Sequence, residues 1–165
     1  MSRLVFGPEN FSATRYSIVR SGTPLGKINC SRREEATITI GKATYLAYGE
    51  GIIRSTFYLD ATGGRIAIAE KPSVFRRRFT VYVGLKSYTL KAVSTNSRAF
   101  LLVEGGSRIG SIAPNGFFSR KFTADLPDDL APEIQTFLIW LVIIDQKRDG
   151  FGIPIKFPTR RVARL

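Results

Sequence analysis

Residues 137–144 of this chain read FLIWLVII, eight apolar side chains in a row within the longer stretch APEIQTFLIWLVIIDQKR at 131–148. On a helix such a run leaves no polar face, so the helix belongs in a core or a membrane rather than on a surface. Crossing a bilayer takes about 20 predominantly apolar residues. Here the run is bounded by Gln135 and Thr136 on one side and Asp145 on the other. It is too short to span, and the sequence predicts a buried helix. The flanks frame it: Asp128 or Asp129 can cap its first turn, Pro132 and Glu133 suit that turn, and Lys147 and Arg148 suit the last. Gly150 is the expected stop.

A buried helix needs walls on every side, and the only material for them is the preceding run of short β-type segments. These read as 16–20, 25–30, 36–40, 43–48, 55–60, 65–69, 79–83, 86–92, 97–104, 108–113 and 118–124, separated by turn residues. Residues 1–13 read as an irregular lead-in because Gly7-Pro8 breaks them, and 149–165 as a basic, extended tail in which Pro154 and Pro158 disfavour helix. An internal repeat supports hairpins. YSIVRSGTPLGKI at 16–28 matches FLLVEGGSRIGSI at 100–112 in turn, glycine and aliphatic positions, and 57–68 follows the same plan more loosely. A turn alone does not require the second glycines, Gly26 and Gly110; a bulge or a close backbone approach does. The expected fold is therefore mostly β: one domain over 1–165, a closed antiparallel barrel of about twelve short strands around a buried C-terminal helix. Closure hides the helix and removes the strand edges at once.

Composition bounds the chemistry. Twenty-five Lys and Arg against thirteen Asp and Glu give a formal charge of +12, a field that favours anionic partners. There is no histidine, which removes the commonest general base at neutral pH and the commonest metal ligand. Cys30 is the only cysteine, so no intrachain disulfide forms and a reducing compartment fits best. The N-terminus lacks the apolar core of a signal peptide. The reading is a cytoplasmic monomer, peripheral to the membrane if it meets one, with no transmembrane span, no cofactor and no metal, and not an enzyme. The acid pairs Glu34-Glu35 and Asp128-Asp129 read as a solvated charged turn and as helix caps rather than as acid–base machinery.

Arginine offers a site instead. Arg76-Arg77-Arg78 is the densest basic run, and guanidinium forks match phosphate oxygens. By alternation Arg76 and Arg78 share a face with Thr80 and Tyr82, while Arg77 shares the inward parity of Phe79. Arg77 therefore reads either as part of an anion site or as a guanidinium at the barrel mouth. Arg32-Arg33 and Arg120-Lys121 could extend the site, and Arg160 and Arg161 in the tail add cations.

The run of hairpins ending in FSRKFTADLPDD, followed by a wholly apolar helix ending in DQKRD, resembles the tubby C-terminal-like superfamily, which includes LURP-one-related proteins and phospholipid scramblases. Over about 16–147 the resemblance implies a twelve-stranded barrel threaded by a central hydrophobic helix. The chain departs from these relatives in continuing to Leu165, and in lacking the clustered cysteines and acidic calcium-binding segment of scramblases. No functional residue carries over from them. The expected function is non-enzymatic binding of an anionic ligand, foremost phospholipid head groups or another phosphate-bearing ligand at a membrane surface. Nucleic-acid binding, protein interaction and carriage of a small lipid are the alternatives.

Overall fold

The computed structural model describes residues 1–32, 34–51 and 55–148. Twelve antiparallel strands close into a barrel in which each strand pairs with its sequence neighbours. The strands are β1 (Ser2–Pro8), β2 (Arg15–Arg20), β3 (Thr23–Arg32), β4 (Glu35–Ile40), β5 (Ala43–Glu50) and β6 (Ser55–Ala61), then β7 (Gly64–Lys71), β8 (Arg78–Val83), β9 (Lys86–Ala92), β10 (Phe100–Glu104), β11 (Ser107–Pro114) and β12 (Phe122–Leu126). Helix α1 (Pro132–Arg148) runs through the middle, and every residue from Ile134 to Gln146 is buried. Inward positions of the strands alternate around it: Phe57 and Leu59 on β6, Phe79 and Val81 on β8, Phe100 and Leu102 on β10. Trp140 is fully buried at the centre, 5.8 Å from Phe57 edge to face and 6.0 Å from Phe137.

The N-terminal segment corrects the expectation of an irregular lead-in. β1 is the strand that closes the barrel, paired with β12 on one side and β2 on the other. Leu4 and Phe6 face inward, and Phe6 stacks on its cross-strand partner Phe122 at 5.2 Å. Pro8 is tolerated because it ends the strand. Two strand starts also move by three residues or more. β10 begins at Phe100 and β12 at Phe122, so 97–99 and 118–121 belong to loops.

The cap differs too. Asp128 takes hydrogen bonds from the Met1 amino group at 2.7 Å and from the Ser2 hydroxyl, which ties β1 to the start of the helix. Those two donors hold its carboxyl below the usual range. The first turn closes instead on the Ala131 carbonyl, which accepts from Ile134 and Gln135 N–H. The Gln135 side chain adds a bond to the Pro127 carbonyl.

The repeat has a physical basis. β2–β3 turns through Ser21 and Gly22, and β10–β11 through Gly105 and Gly106, all four with positive φ, the geometry that matches strand twist in two-residue hairpins. Each hairpin then bulges at the same place, with Ile18 opposite Gly26 and Leu102 opposite Gly110. The third copy, β6–β7, bulges where Leu59 faces Ala67. A Cβ on Gly26 would stand 2.5 Å from the Thr39 carbonyl oxygen, and one on Gly110 would stand 2.7 Å from that of Asp125. Backbone cannot yield as a side-chain tip can. Gly26→Ala is expected to lower stability by about 1–3 kcal/mol, the usual range for overpacking. Thermal denaturation reads it directly, and an unchanged midpoint would mean the strand spacing is looser than described.

Candidate functional site

The two ends of the barrel are built differently. At one end the connections are two-residue turns: 21–22, 41–42, 62–63, 84–85 and 105–106. At the other, where the helix finishes, four of the six connections, 9–14, 72–77, 93–99 and 115–121, are longer. The turn end is close to electrical balance: the Met1 amino group, Arg3, Arg20, Lys42, Arg65, Lys86 and Arg108 stand against Asp60, Glu104, Asp125, Asp128, Asp129 and Glu133. Several of these pair directly, including Arg3 with Asp125 and Arg65 with Asp60, each at 2.7–2.9 Å. At the loop end cations outnumber acids among the described residues, and the excess positive charge of the described barrel is therefore concentrated there.

Three arginines organise that end. Arg77, before β8, crosses to the next loop and donates to the Thr95 carbonyl (3.1 Å) and the Ser97 carbonyl. Arg98, before β10, crosses to the loop after that and donates to the carbonyls of Phe117 (3.0 Å) and Ser119 (2.8 Å). Arg120, before β12, crosses to the first loop and donates to the Phe11 carbonyl at 2.9 Å. Each also lies over an aromatic ring of its neighbour: Arg77 over Phe100, Arg98 over Phe122 and Arg120 over Phe11, at 5.4, 5.1 and 5.7 Å. The four loops are thus linked in barrel order by three arginines, one at each junction. Burial pushes the Arg98 guanidinium below its ordinary pKa.

A sequence signal for this girdle exists. Arg77, Arg98 and Arg120 each stand two residues before an inward phenylalanine, Phe79, Phe100 and Phe122. In the latter two cases a serine precedes the arginine and accepts from the amide two residues on: Ser97 from Ala99 and Ser119 from Lys121, both at 3.0 Å. The spacing is set by the strand. Two residues back from an inward ring at a strand entry, a long side chain lies on the inner side of the rim and can reach sideways.

The basic run accordingly divides. Arg77 turns inward, and its guanidinium reaches Asp145 of the helix with both Nε (2.9 Å) and Nη2 (2.7 Å) while almost fully buried. It stands at the barrel mouth, engaged with the helix, and also lines the pocket beside Arg76 and Arg78. Arg76 and Arg78 turn outward, are exposed, and share a shallow pocket of about 350 Å³ with Lys91, Phe75, Ser94 and Thr95. Arg78 and Lys91 are direct cross-strand partners. Like charges placed opposite each other on a ladder destabilise it, and none of these three cations makes an ion pair among the described residues. Lys121 is also exposed on this rim, while Arg120 is committed to the Phe11 loop. Arg33, Arg160 and Arg161, with the rest of 149–165, lie outside the described residues.

The helix finishes among further polar groups. Arg148 donates to Glu34 at 2.6 Å and to the Ser55 hydroxyl at 3.2 Å, so Glu34 is half-buried in an ion pair and not in a solvated turn. A pocket of about 420 Å³ opens beside it, lined by Thr14, Cys30, Ser31, Arg32 and Lys147. Burial raises the Cys30 thiol pKa, and the nearby Lys147 ammonium opposes that rise. Tyr16, under Lys147 at 5.8 Å, is likewise raised, by burial first and then by Cys30. These groups read as inert packing at neutral pH rather than as nucleophiles.

No family model, curated protein or solved structure matches the chain. No helix among the described residues is long and apolar enough to cross a membrane. The reading of function therefore rests on the loop end itself.

Proposed function

We propose that the chain is a non-enzymatic binding domain of the tubby-like kind, whose loop end engages anionic phospholipid head groups at a membrane surface. The observation that carries this reading is the triad Arg76, Arg78 and Lys91. Two like charges are held opposite each other in register, with a third beside them in one open pocket. Such a cluster is stabilised when a phosphate or carboxylate sits between its members, and guanidinium groups are suited to phosphate. The nearly balanced turn end offers no comparable field, so approach to a charged surface is oriented, loop end first. The barrel interior is filled by the helix, which speaks against carriage of a lipid inside it.

Co-sedimentation tests the reading. The full chain is expected to pellet with phosphatidylcholine vesicles containing phosphatidylserine and to stay in solution with phosphatidylcholine alone. Replacing Arg76, Arg78 and Lys91 together by Gln removes three interfacial cations worth about 1 kcal/mol each near an anionic surface. Binding at low salt should fall by about two orders of magnitude, and thermal stability should hold or rise slightly as the cross-strand repulsion goes. Equal binding to neutral vesicles, or unchanged binding by the triple variant, would refute the assignment. Preferential, salt-dependent binding to mixed-sequence RNA or DNA with none to vesicles would favour nucleic-acid phosphates instead.

A further inference from the structure

The loop end carries a second feature that charge does not explain. Phe11, Phe75, Phe117 and Phe118 are 71%, 89%, 84% and 88% exposed, with Val74 and Val93 exposed beside them. At the turn end the corresponding residues are Met1 and Leu85, neither of them aromatic. Single exposed apolar residues are ordinary. Four phenylalanines gathered at one end of a barrel, each in a connecting loop, are a patterned exposure that marks an interaction surface.

Resting on the binding reading above, we infer that the chain docks end-on to an anionic bilayer, with Phe11, Phe75, Phe117 and Phe118 inserted below the level of the head groups. Several observations select a bilayer as the occupant. The phenylalanines occupy three separate loops spaced around the rim, and a deformable medium can receive separate tips at once, whereas a rigid partner needs a matching hole for each. Valines stand among them. Aliphatic side chains add nothing to base stacking, which single-stranded nucleic acid would require, but they partition into acyl chains as phenylalanine does.

The cations lie behind the tips. Phe75 is in mid-loop, and Arg78 and Lys91 begin and nearly end the strands that follow. Phe117 and Phe118 precede Lys121, at the base of their loop. Apolar groups foremost with basic groups one layer back is the arrangement that an anionic interface rewards.

The arginine girdle gives the insertion its footing. Arg98 holds the Phe117 carbonyl, Arg120 holds the Phe11 carbonyl, and Arg77 holds the loop at 93–99. The rings are therefore presented on braced loops, and little ordering is left to be done at the moment of docking.

The test uses the full chain and vesicles of phosphatidylcholine with phosphatidylserine, some carrying phosphatidylcholine brominated in the acyl chain. Phe118→Trp places a reporter at the tip, and Trp140, fully buried, contributes a constant background. The reporter should shift to the blue and be quenched by the brominated lipid, whereas Leu85→Trp at the turn end should not. The double variant Phe117→Ser, Phe118→Ser should lose about tenfold or more in vesicle affinity, since each ring then leaves less apolar area to bury. It should also lose the fraction of binding that persists in the wild type at high salt, with an unchanged thermal midpoint.

If the wild type binds anionic vesicles but the reporter is unquenched and the double variant binds equally, docking is at the head-group level only; the inference falls and the binding reading stands. If the wild type binds no vesicle, both fall. If the double variant changes only the oligomeric state seen by sedimentation equilibrium, the rings form an interface between copies of this chain and the inference is overturned.

Discussion

Trp140→Asp is expected to leave no cooperatively folded protein. Trp140 has no solvent exposure and lies between Phe57 and Phe137 on the barrel axis. Removing a buried large aromatic costs about 3–5 kcal/mol. Placing an unpaired carboxylate there adds several more, or else forces the carboxyl to remain protonated. Together these reach the whole stability of an ordinary domain, about 5–15 kcal/mol. Far-ultraviolet circular dichroism against temperature should show no sigmoidal transition. Trp140→Phe is the control. The indole N–H has no hydrogen-bond partner among the described residues, so losing it relieves a buried donor while the smaller ring loses packing, and the net change should stay within about 2 kcal/mol. A cooperative transition in the Asp variant would mean that the helix is not the core.

The second large effect is expected at Arg77 and Asp145. The pair joins the last turns of the helix to the entry of β8, with side-chain exposures of 9% and 2%. Taking away one partner breaks a buried ion pair in a place with little water, which typically costs about 3–5 kcal/mol. Arg77→Ala and Asp145→Ala should each lower the unfolding free energy extrapolated from urea denaturation by that amount. The double Ala variant should lose less than the sum, by a coupling of about 0.5–3 kcal/mol. Additive losses would show that the two side chains do not depend on each other. Arg77→Ala should in addition loosen the loop at 93–99, because the guanidinium also binds the carbonyls of Thr95 and Ser97. No such loop effect is expected from Asp145→Ala.

The fold was legible where a single physical demand governs the sequence. An all-apolar helix has to be enclosed, and that demand alone led from residues 137–144 to a closed sheet. Alternation placed Arg77 inward and Arg76 and Arg78 outward. The repeated glycines were legible as close approaches, since Gly26 and Gly110 stand where a Cβ would meet the next strand's backbone.

β1 was missed because Gly7-Pro8 looks like a break, yet only Leu4 and Phe6 are needed to complete the wall, and the proline falls at the strand's end. The sequence reads 118–124 as a strand, whereas the loop runs to Lys121 and leaves the Phe118 ring in solvent. Whether a phenylalanine is exposed depends on where a loop ends, which periodicity fixes to within a few residues at best. The girdle was hidden for a different reason. Its arginines share only a two-residue step to an inward phenylalanine, with a preceding serine in two of the three cases, a pattern too short to stand out in a chain with many arginines.

What distinguishes this barrel is that one end is closed by tight, nearly charge-balanced turns and the other presents braced loops with cations and bare aromatic rings. Backbone hydrogen exchange with and without phosphatidylserine-containing vesicles tests that polarity most directly. Protection on binding should appear in the loops at 9–14, 72–77, 93–99 and 115–121 and be absent from the turns at 21–22, 41–42, 62–63, 84–85 and 105–106. Protection centred on the turns, or spread along the barrel wall, would contradict the assignment of the loop end as the binding face.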